Sequence, residues 1–338
     1  MFQRILVPLD GSALAEQALP VAARIARAGG GIITLLHVAN VSTTAVSYGA
    51  MQPLITQDAI DISLEHGNAY LDGLTTSHQE LAGVALDRQV IVGHPAIIIL
   101  SVLDEQVFDL IVMSSHGHTG VKRWILGSVA EKVIHHAPTP VLVLREGASL
   151  KPSEQSEGGA SHVRALVPLD TSERALDVIL PAAVLVAACS APGRGELHFT
   201  QVVSLPVEIH EREKEALFQE IERRLQEVCT RTAQALGSRL SPDLQPVLTW
   251  SISLESDVAA AIVKMAEHGA GAARGSAVEA SDLIAMTTHG YTGFQRWTMG
   301  SVAERVLRGT KLPLLLTRPA DMIDKERPRR QSRVETPV

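Results

Sequence analysis

His116-Gly117-His118-Thr119-Gly120-Val121-Lys122-Arg123-Trp124-Ile125-Leu126-Gly127-Ser128-Val129-Ala130-Glu131 returns further along the chain as His289-Gly290-Tyr291-Thr292-Gly293-Phe294-Gln295-Arg296-Trp297-Thr298-Met299-Gly300-Ser301-Val302-Ala303-Glu304. The match runs without a gap, and self-similarity on this scale marks a duplicated structural unit. Working outward, Arg4-Ile5-Leu6-Val7-Pro8-Leu9-Asp10 is matched by Arg164-Ala165-Leu166-Val167-Pro168-Leu169-Asp170. On the other side, Pro140-Val141-Leu142-Val143-Leu144 is matched by Pro313-Leu314-Leu315-Leu316-Thr317. The offset is 160 at the aspartates and 173 at the histidines, so the second copy is 13 residues longer between them. Most of the excess falls near 269–280, a small-residue stretch without an apolar period, which predicts a surface loop. Residues 1–146 form the first domain, 147–162 a polar Gly/Ser-rich linker, and 163–318 the second domain. The charged, proline-bearing tail 319–338 is predicted to be disordered.

Within one copy, short apolar runs alternate with helical periods. Ile5–Leu9 ahead of Asp-Gly-Ser predicts a buried strand and a turn. Leu14, Ala18, Val21 and Ile25 then recur at helical spacing up to Gly29. Pro20, and Pro181 in the second copy, fall inside these helices and predict a mild kink in each. Strands are predicted at 32–38, 87–92, 110–113 and 141–144, with helices at 57–75, 95–106 and 128–136. Such alternation builds a parallel sheet covered on both faces, with right-handed crossovers. The fold class is therefore α/β, two doubly wound five-stranded parallel-sheet domains in tandem. In such folds ligands bind beyond the carboxyl ends of the strands, where Asp10 and Ser114–Gly117 fall.

The 338 residues carry a net charge of −7, which argues against a broad nucleic-acid-binding face. Cys189 and Cys229 make neither a disulfide framework nor a C-x-x-C pair, which suits a reduced, cytoplasmic setting. The beginning of the chain lacks a signal-peptide apolar core, and no apolar run approaches the ~20 residues of a membrane span. His116, His118, His135 and His136 have no partners at ligand spacing, so no metal site is expected. A G-x-x-x-x-G-K-S/T loop is absent, and no Ser/His/Asp or Cys/His order suggests a triad, so no catalytic residue is assigned.

The Gly117–Ser128 segment is the most informative for chemistry. Gly117 follows a strand, and Gly127-Ser128 opens a helix, whose start exposes unpaired N–H groups and the positive dipole end. Ser128 can cap that helix or donate to a phosphate. Lys122 and Arg123 read as solvated residues, Trp124 and Trp297 as packing anchors.

These residues resemble the universal stress protein family, whose nucleotide-binding members carry Gly-x-x-Gly-x9-Gly-Ser/Thr after strand four. This chain reads Ser114-x-x-Gly117-x9-Gly127-Ser128 and Thr287-x-x-Gly290-x9-Gly300-Ser301, with the first glycine replaced in both copies. The resemblance covers nearly the whole chain apart from linker, insertion and tail. It implies a Rossmann-like fold of the adenine nucleotide alpha hydrolase type, and ATP or another adenine nucleotide, with Mg2+ as a candidate companion. It places Asp10 against the nucleoside and Val38 against adenine. Pro8, Gly93 of the Gly93-x-Pro95-Ala96 turn, Met113, Ser114, Gly117, His118, Gly127, Ser128 and Val129 complete the site. A weaker second site is implied at Pro168, Asp170, Val202, Thr287, Gly290, Gly300, Ser301 and Val302, because Thr287 is bulkier and Glu255 replaces the glycine of the turn. The resemblance also implies pairing through the fifth strands, satisfied within the tandem chain, with a further homodimer left open. The expected role is a stress-associated regulatory protein that binds nucleotide and an unidentified protein partner. Occupancy is expected to order the loop from Gly117 to Gly127. Two other readings stand beside it: an interaction scaffold with degenerate sites, favoured by Ser114 and Thr287, and a slow ATPase.

Overall fold

The computed structural model describes residues 1–39, 57–115, 126–147, 150, 162–205, 210–290 and 299–326. The first repeat contributes strands β1 (Arg4–Leu9), β2 (Ile32–Ala39), β3 (Ala85–Val92), β4 (Leu110–Ser114) and β5 (Val141–Leu144). Its helices are α1 (Ala13–Glu16), α2 (Ala18–Gly29), α3 (Gln57–Ser77), α4 (Pro95–Glu105) and α5 (Ser128–His136). The second repeat supplies β6 (Arg164–Pro168), β7 (Glu196–Val203), β8 (Val247–Leu254), β9 (Arg274–Gly275), β10 (Leu283–Thr287) and β11 (Leu314–Thr317). With them come α6 (Ile179–Ser190), α7 (Glu211–Gly237), α8 (Val258–His268), α9 (Ser301–Gly309) and α10 (Ala320–Glu326).

The strands form one 11-stranded sheet in the order β3-β2-β1-β4-β5-β11-β10-β6-β7-β8-β9. Pairing is parallel within each repeat except at β9, and β5 meets β11 antiparallel with Leu142 opposite Leu315. Continuous Val/Ile/Leu runs are what a sheet buried on both faces requires, and Ile5, Leu6 and Val7 are all fully buried. Two apolar layers result, each crossing the repeat boundary. Ile5, Val7 and Leu35 pack with α2, α3, α6 and α7 on one face, while Leu6, Leu36 and Val143 pack with α4, α5, α8 and α9 on the other. Burying each such side chain contributes about 1.5–3 kcal/mol relative to exposure.

Four expectations from sequence are corrected. Pro20 does not kink a continuous helix. The chain breaks at Gln17, and Pro20 becomes the third residue of α2, where its missing N–H falls among those with no acceptor inside the helix anyway. Pro181 likewise stands third in α6, after a 3-10 turn at Glu173–Val178. The predicted loop near 269–280 is a small hairpin. β9 pairs antiparallel with β8, Ala270 bridges Val278, and Val278 is buried. Gly275 makes this approach possible (φ 86°), since a Cβ there would run into the Trp250 carbonyl. The hairpin covers the β8 edge, whereas among the described residues β3 is the outermost strand of the first repeat.

The segment predicted as a disordered tail instead begins with α10. Arg174 grips Asp321 through two hydrogen bonds of 3.0 and 2.7 Å, Ala320 N–H donates to Asp177, and Met322 is buried. Residues 327–338 lie outside the described part. In the linker, Leu150 is buried and its carbonyl accepts from Arg24 at 2.7 Å.

Candidate functional site

Each repeat opens a cavity beyond the carboxyl ends of two adjacent strands, β1 and β4 in the first repeat and β6 and β10 in the second. In the first repeat it measures about 490 Å³, within the 300–1,000 Å³ typical of small-molecule sites. One wall is apolar: Pro8, Leu36, Val38, Ile99 and Met113. The other is polar: Asp10, Ser114, Ser115, Gly127 and Ser128.

The polar wall is built by a relay of backbone bonds. Ser115 N–H donates to Leu144 C=O at 2.8 Å, which ties the end of β4 to the end of β5. Gly127 N–H then donates to Ser115 C=O at 2.8 Å and fixes the start of α5. Gly127 is the N-cap of α5, with extended backbone (φ −65°, ψ 146°) and no side chain to bond the first turn. Ser128 is therefore the first helical residue and does not cap the helix, contrary to one sequence expectation. The first intrahelical bond is Glu131 N–H to Gly127 C=O at 2.9 Å. The N–H groups of Ser128, Val129 and Ala130 have no acceptor inside the helix, and all three residues line the cavity. Such an uncapped first turn, at the positive end of the dipole, is suited to an anion.

Asp10 stands at the mouth. Its Oδ1 accepts from Ser12 N–H at 3.0 Å and from Ser12 Oγ at 2.6 Å, and Ser12 Oγ in turn accepts from Ala15 N–H at 3.1 Å. The carboxylate thus organises the turn into α1 as well as facing the cavity. His37, which sequence reading passed over, also lines it. Its Nδ1 lies 3.0 Å from Leu9 C=O and so carries the proton. The ring meets Tyr70 edge-on at 5.2 Å, and Tyr70 Oη donates to Glu16 at 3.0 Å. Burial, reinforced by Glu16, pushes the Tyr70 hydroxyl well above its usual range, so it stays a donor.

Of the residues expected from sequence, Pro8, Asp10, Val38, Met113, Ser114, Gly127, Ser128 and Val129 converge on this cavity. Gly93 does not line it. It forms the turn after β3, where its N–H donates to Ala39 C=O and a Cβ would crowd Ile98; its neighbour Pro95 supplies the wall instead. Gly117 and His118 lie outside the described residues, as do Lys122, Arg123, Trp124 and the loop expected to order on binding. Besides His37, sequence reading missed Leu36 and Ile99. Leu36 and Ile99 look like ordinary core residues until the fold brings the end of β2 and the first turns of α4 to the same cavity.

The second repeat repeats the layout in about 340 Å³. Pro168, Asp170, Val202, Thr287, Gly290, Gly300, Ser301 and Val302 all line it. Thr288 N–H donates to Thr317 C=O at 2.9 Å, and Gly300 N–H to Thr288 C=O at 2.8 Å, the same relay. Thr287 and Thr288 stand where the first repeat has Ser114 and Ser115, and their extra methyl groups help narrow the space. Thr287 Oγ donates to His289 C=O at 3.0 Å. Asp170 Oδ1 accepts from Ser172 as Asp10 does from Ser12, and the carboxylate lies so close to Gly290 that a Cβ there would collide with it. Among the described residues, no group of three or more His, Cys, Asp or Glu could hold a metal ion. No described helix is long and apolar enough to cross a membrane.

A doubly wound sheet with an anion-suited helix start beyond the strand ends, present twice, defines a tandem α/β protein of the Rossmann-like class. The universal stress protein family model matches residues 1–145 and again 163–318, and the chain belongs to that family. A universal stress protein of Methanocaldococcus jannaschii is 31% identical over 147 residues, 43% of this chain and 84% of the relative. A putative universal stress protein of Staphylococcus epidermidis is 34% identical over 146 residues, with the same coverage. A crystal structure of a universal stress protein from Archaeoglobus fulgidus superposes with a TM-score of 0.60 at 20% identity, covering 93% of this chain and 98% of that one. A putative universal stress protein from Pseudomonas aeruginosa gives 0.59 at 20% identity, covering 96% of each. These likenesses show the fold across both repeats.

Proposed function

We propose that the first repeat binds ATP or a related adenine nucleotide, and that the protein is a cytoplasmic, stress-associated binding module with no efficient turnover. The observation that carries this is the pairing, in one cavity, of an apolar slot with the open first turn of α5. A flat base fits between Val38, Ile99 and Met113. Ribose hydroxyls and the adenine amino group donate, and the Asp10 carboxylate accepts. The phosphates meet the Ser128–Ala130 amides and the Ser128 hydroxyl. Mg2+ would be held by the phosphates and water, since the described residues offer no acidic cluster. The second repeat has the same relay with less room, and would bind more weakly or serve as a structural partner.

Among the described residues that line the cavity, no general base paired with a nucleophile faces the amide end, which favours a binding module. The rival scaffold reading draws on Ser114 and Thr287 in place of the first motif glycine, and on the use of Asp10 Oδ1 by Ser12. Calorimetric titration with ATP separates them. Saturable heat in the wild type, weakened at least tenfold in Asp10→Ala, supports nucleotide binding. No heat in the wild type refutes it. Phosphate release abolished by Asp10→Ala would raise the slow-ATPase reading instead.

A further inference from the structure

Arg145 and Arg318 occupy the same position in the two repeats, directly after the last strand of each (β5 and β11), at the 173-residue offset of the motif block. Both are almost fully buried. Each reaches into the other repeat. The Arg145 guanidinium donates to Leu307 C=O in the last turn of α9, and Arg318 donates to His136 C=O, the last residue of α5, at 3.1 Å. Each arginine therefore crosses the β5–β11 seam and satisfies a carbonyl that helix geometry leaves open, at the negative end of the opposite dipole. Arg308 of α9 also approaches Glu131 in the first turn of α5, at 3.6 Å, so the two helices run past each other across the seam.

The connection continues at the other end of each arginine's chain segment. Arg318 follows Thr317, whose carbonyl holds Thr288, whose carbonyl holds the Gly300 amide at the start of α9. Arg145 follows Leu144, whose carbonyl holds Ser115, whose carbonyl holds the Gly127 amide at the start of α5. The helix that opens onto one cavity is thus gripped at its far end by an arginine whose own strand sets the floor of the other cavity. The circuit closes on itself with two-fold pseudo-symmetry.

The geometry points to Arg145 and Arg318 as crossed positioning residues: Arg318 holds the first-repeat pocket helix from the second repeat, and Arg145 does the reverse. Ligand at one cavity, by fixing the start of α5 or α9, then changes the strength of the opposite relay, and by linkage the effect is reciprocal. The ligand coupling rests on the nucleotide reading above; the crossed grip does not.

Hydrogen exchange on the full, ligand-free chain tests the grip. Arg318→Met removes a charged hydrogen bond whose loss is worth at least about tenfold in local opening, so α5 amides should exchange roughly ten times faster while α9 stays near wild type. Arg145→Met should loosen α9 and spare α5, and the lysine variants should restore part of the protection. If Arg318→Met does not fold, Arg318→Lys gives the same crossed comparison at lower amplitude. Each variant loosening only its own repeat, both helices equally, or neither would overturn the proposal. ATP titration of the same variants keeps the two readings apart. A crossed exchange pattern without ATP binding upholds the grip and refutes the nucleotide reading. ATP binding with uncrossed exchange does the opposite.

Discussion

Replacing His198 by Thr should remove a specific acid sensitivity from the second repeat. His198 is 1% exposed and lies between two hydroxyls, with Nδ1 2.8 Å from Thr249 Oγ1 and Nε2 2.8 Å from Ser251 Oγ. Ser251 in turn donates to Thr200 at 3.0 Å. Burial pulls the imidazole from the ordinary 6.5 to about 4, against a weaker opposing pull from Glu196. The unfolded chain accepts a proton near pH 6.5 that the folded chain refuses until about pH 4. This contribution to stability is therefore complete above pH 6.5 and is lost as pH falls through that window, flattening below about 4. At 1.36 kcal/mol per pH unit the loss is roughly 3 kcal/mol. Threonine is the residue the first repeat already uses here, since Leu6 pairs with Thr34 as Leu166 pairs with His198. Urea unfolding of both proteins from pH 7 to pH 4 reads the effect. The difference between the two proteins removes the acid dependence they share. The stability gap between wild type and His198→Thr should shift by about 3 kcal/mol in favour of the variant at the acid end. A gap that stays constant across the range would refute the claim that a buried neutral imidazole is responsible.

Gly195→Ala should cost about 1–3 kcal/mol in urea unfolding, because a Cβ there would press on Val186, Ser190 Oγ and the Val163 carbonyl, while the backbone angle itself is ordinary. Arg174→Ala should speed amide exchange in α10 while changing global stability by less than about 1 kcal/mol, since the Arg174–Asp321 pair is part-exposed. Unchanged exchange in residues 320–326 would show that Asp177 and the burial of Met322 suffice to hold that helix.

The strands were legible because burial on both faces writes itself into sequence as short Val/Ile/Leu runs, and because the duplication let one copy check the other. The first-turn site at Gly127-Ser128 was legible for the same reason: a helix start is a local signal. What escaped depends on contacts distant in sequence. A hairpin at Arg274–Gly275 forms only because β8 offers an edge and Gly275 can approach Trp250, neither of which the local composition of that stretch reveals. The helix α10 exists because Asp177 and Arg174, well over a hundred residues earlier, bind its start. Pro20 looked like a kink because the break at Gln17 is set by the Asp10–Ser12 turn rather than by helical period. Arg145 and Arg318 carried a readable signal, their shared offset, but their meaning needs the β5–β11 seam.

The central claim is that nucleotide occupies the first repeat's cavity through the open start of α5. Gly127 and Gly300 have ordinary extended backbone, and at Gly300 a Cβ would meet only ordinary contacts. A glutamate at either position brings negative charge to one helix start, and at Gly300 the fold has room for the new Cβ. The decisive measurement is to denature freshly purified wild type, Gly127→Glu and Gly300→Glu, and to identify and count the released small molecules by mass spectrometry. Adenine nucleotide near one per chain in wild type and Gly300→Glu, and lost in Gly127→Glu, is the predicted result. Release that is unaffected by Gly127→Glu, or no release together with no heat on adding ATP, would contradict the account.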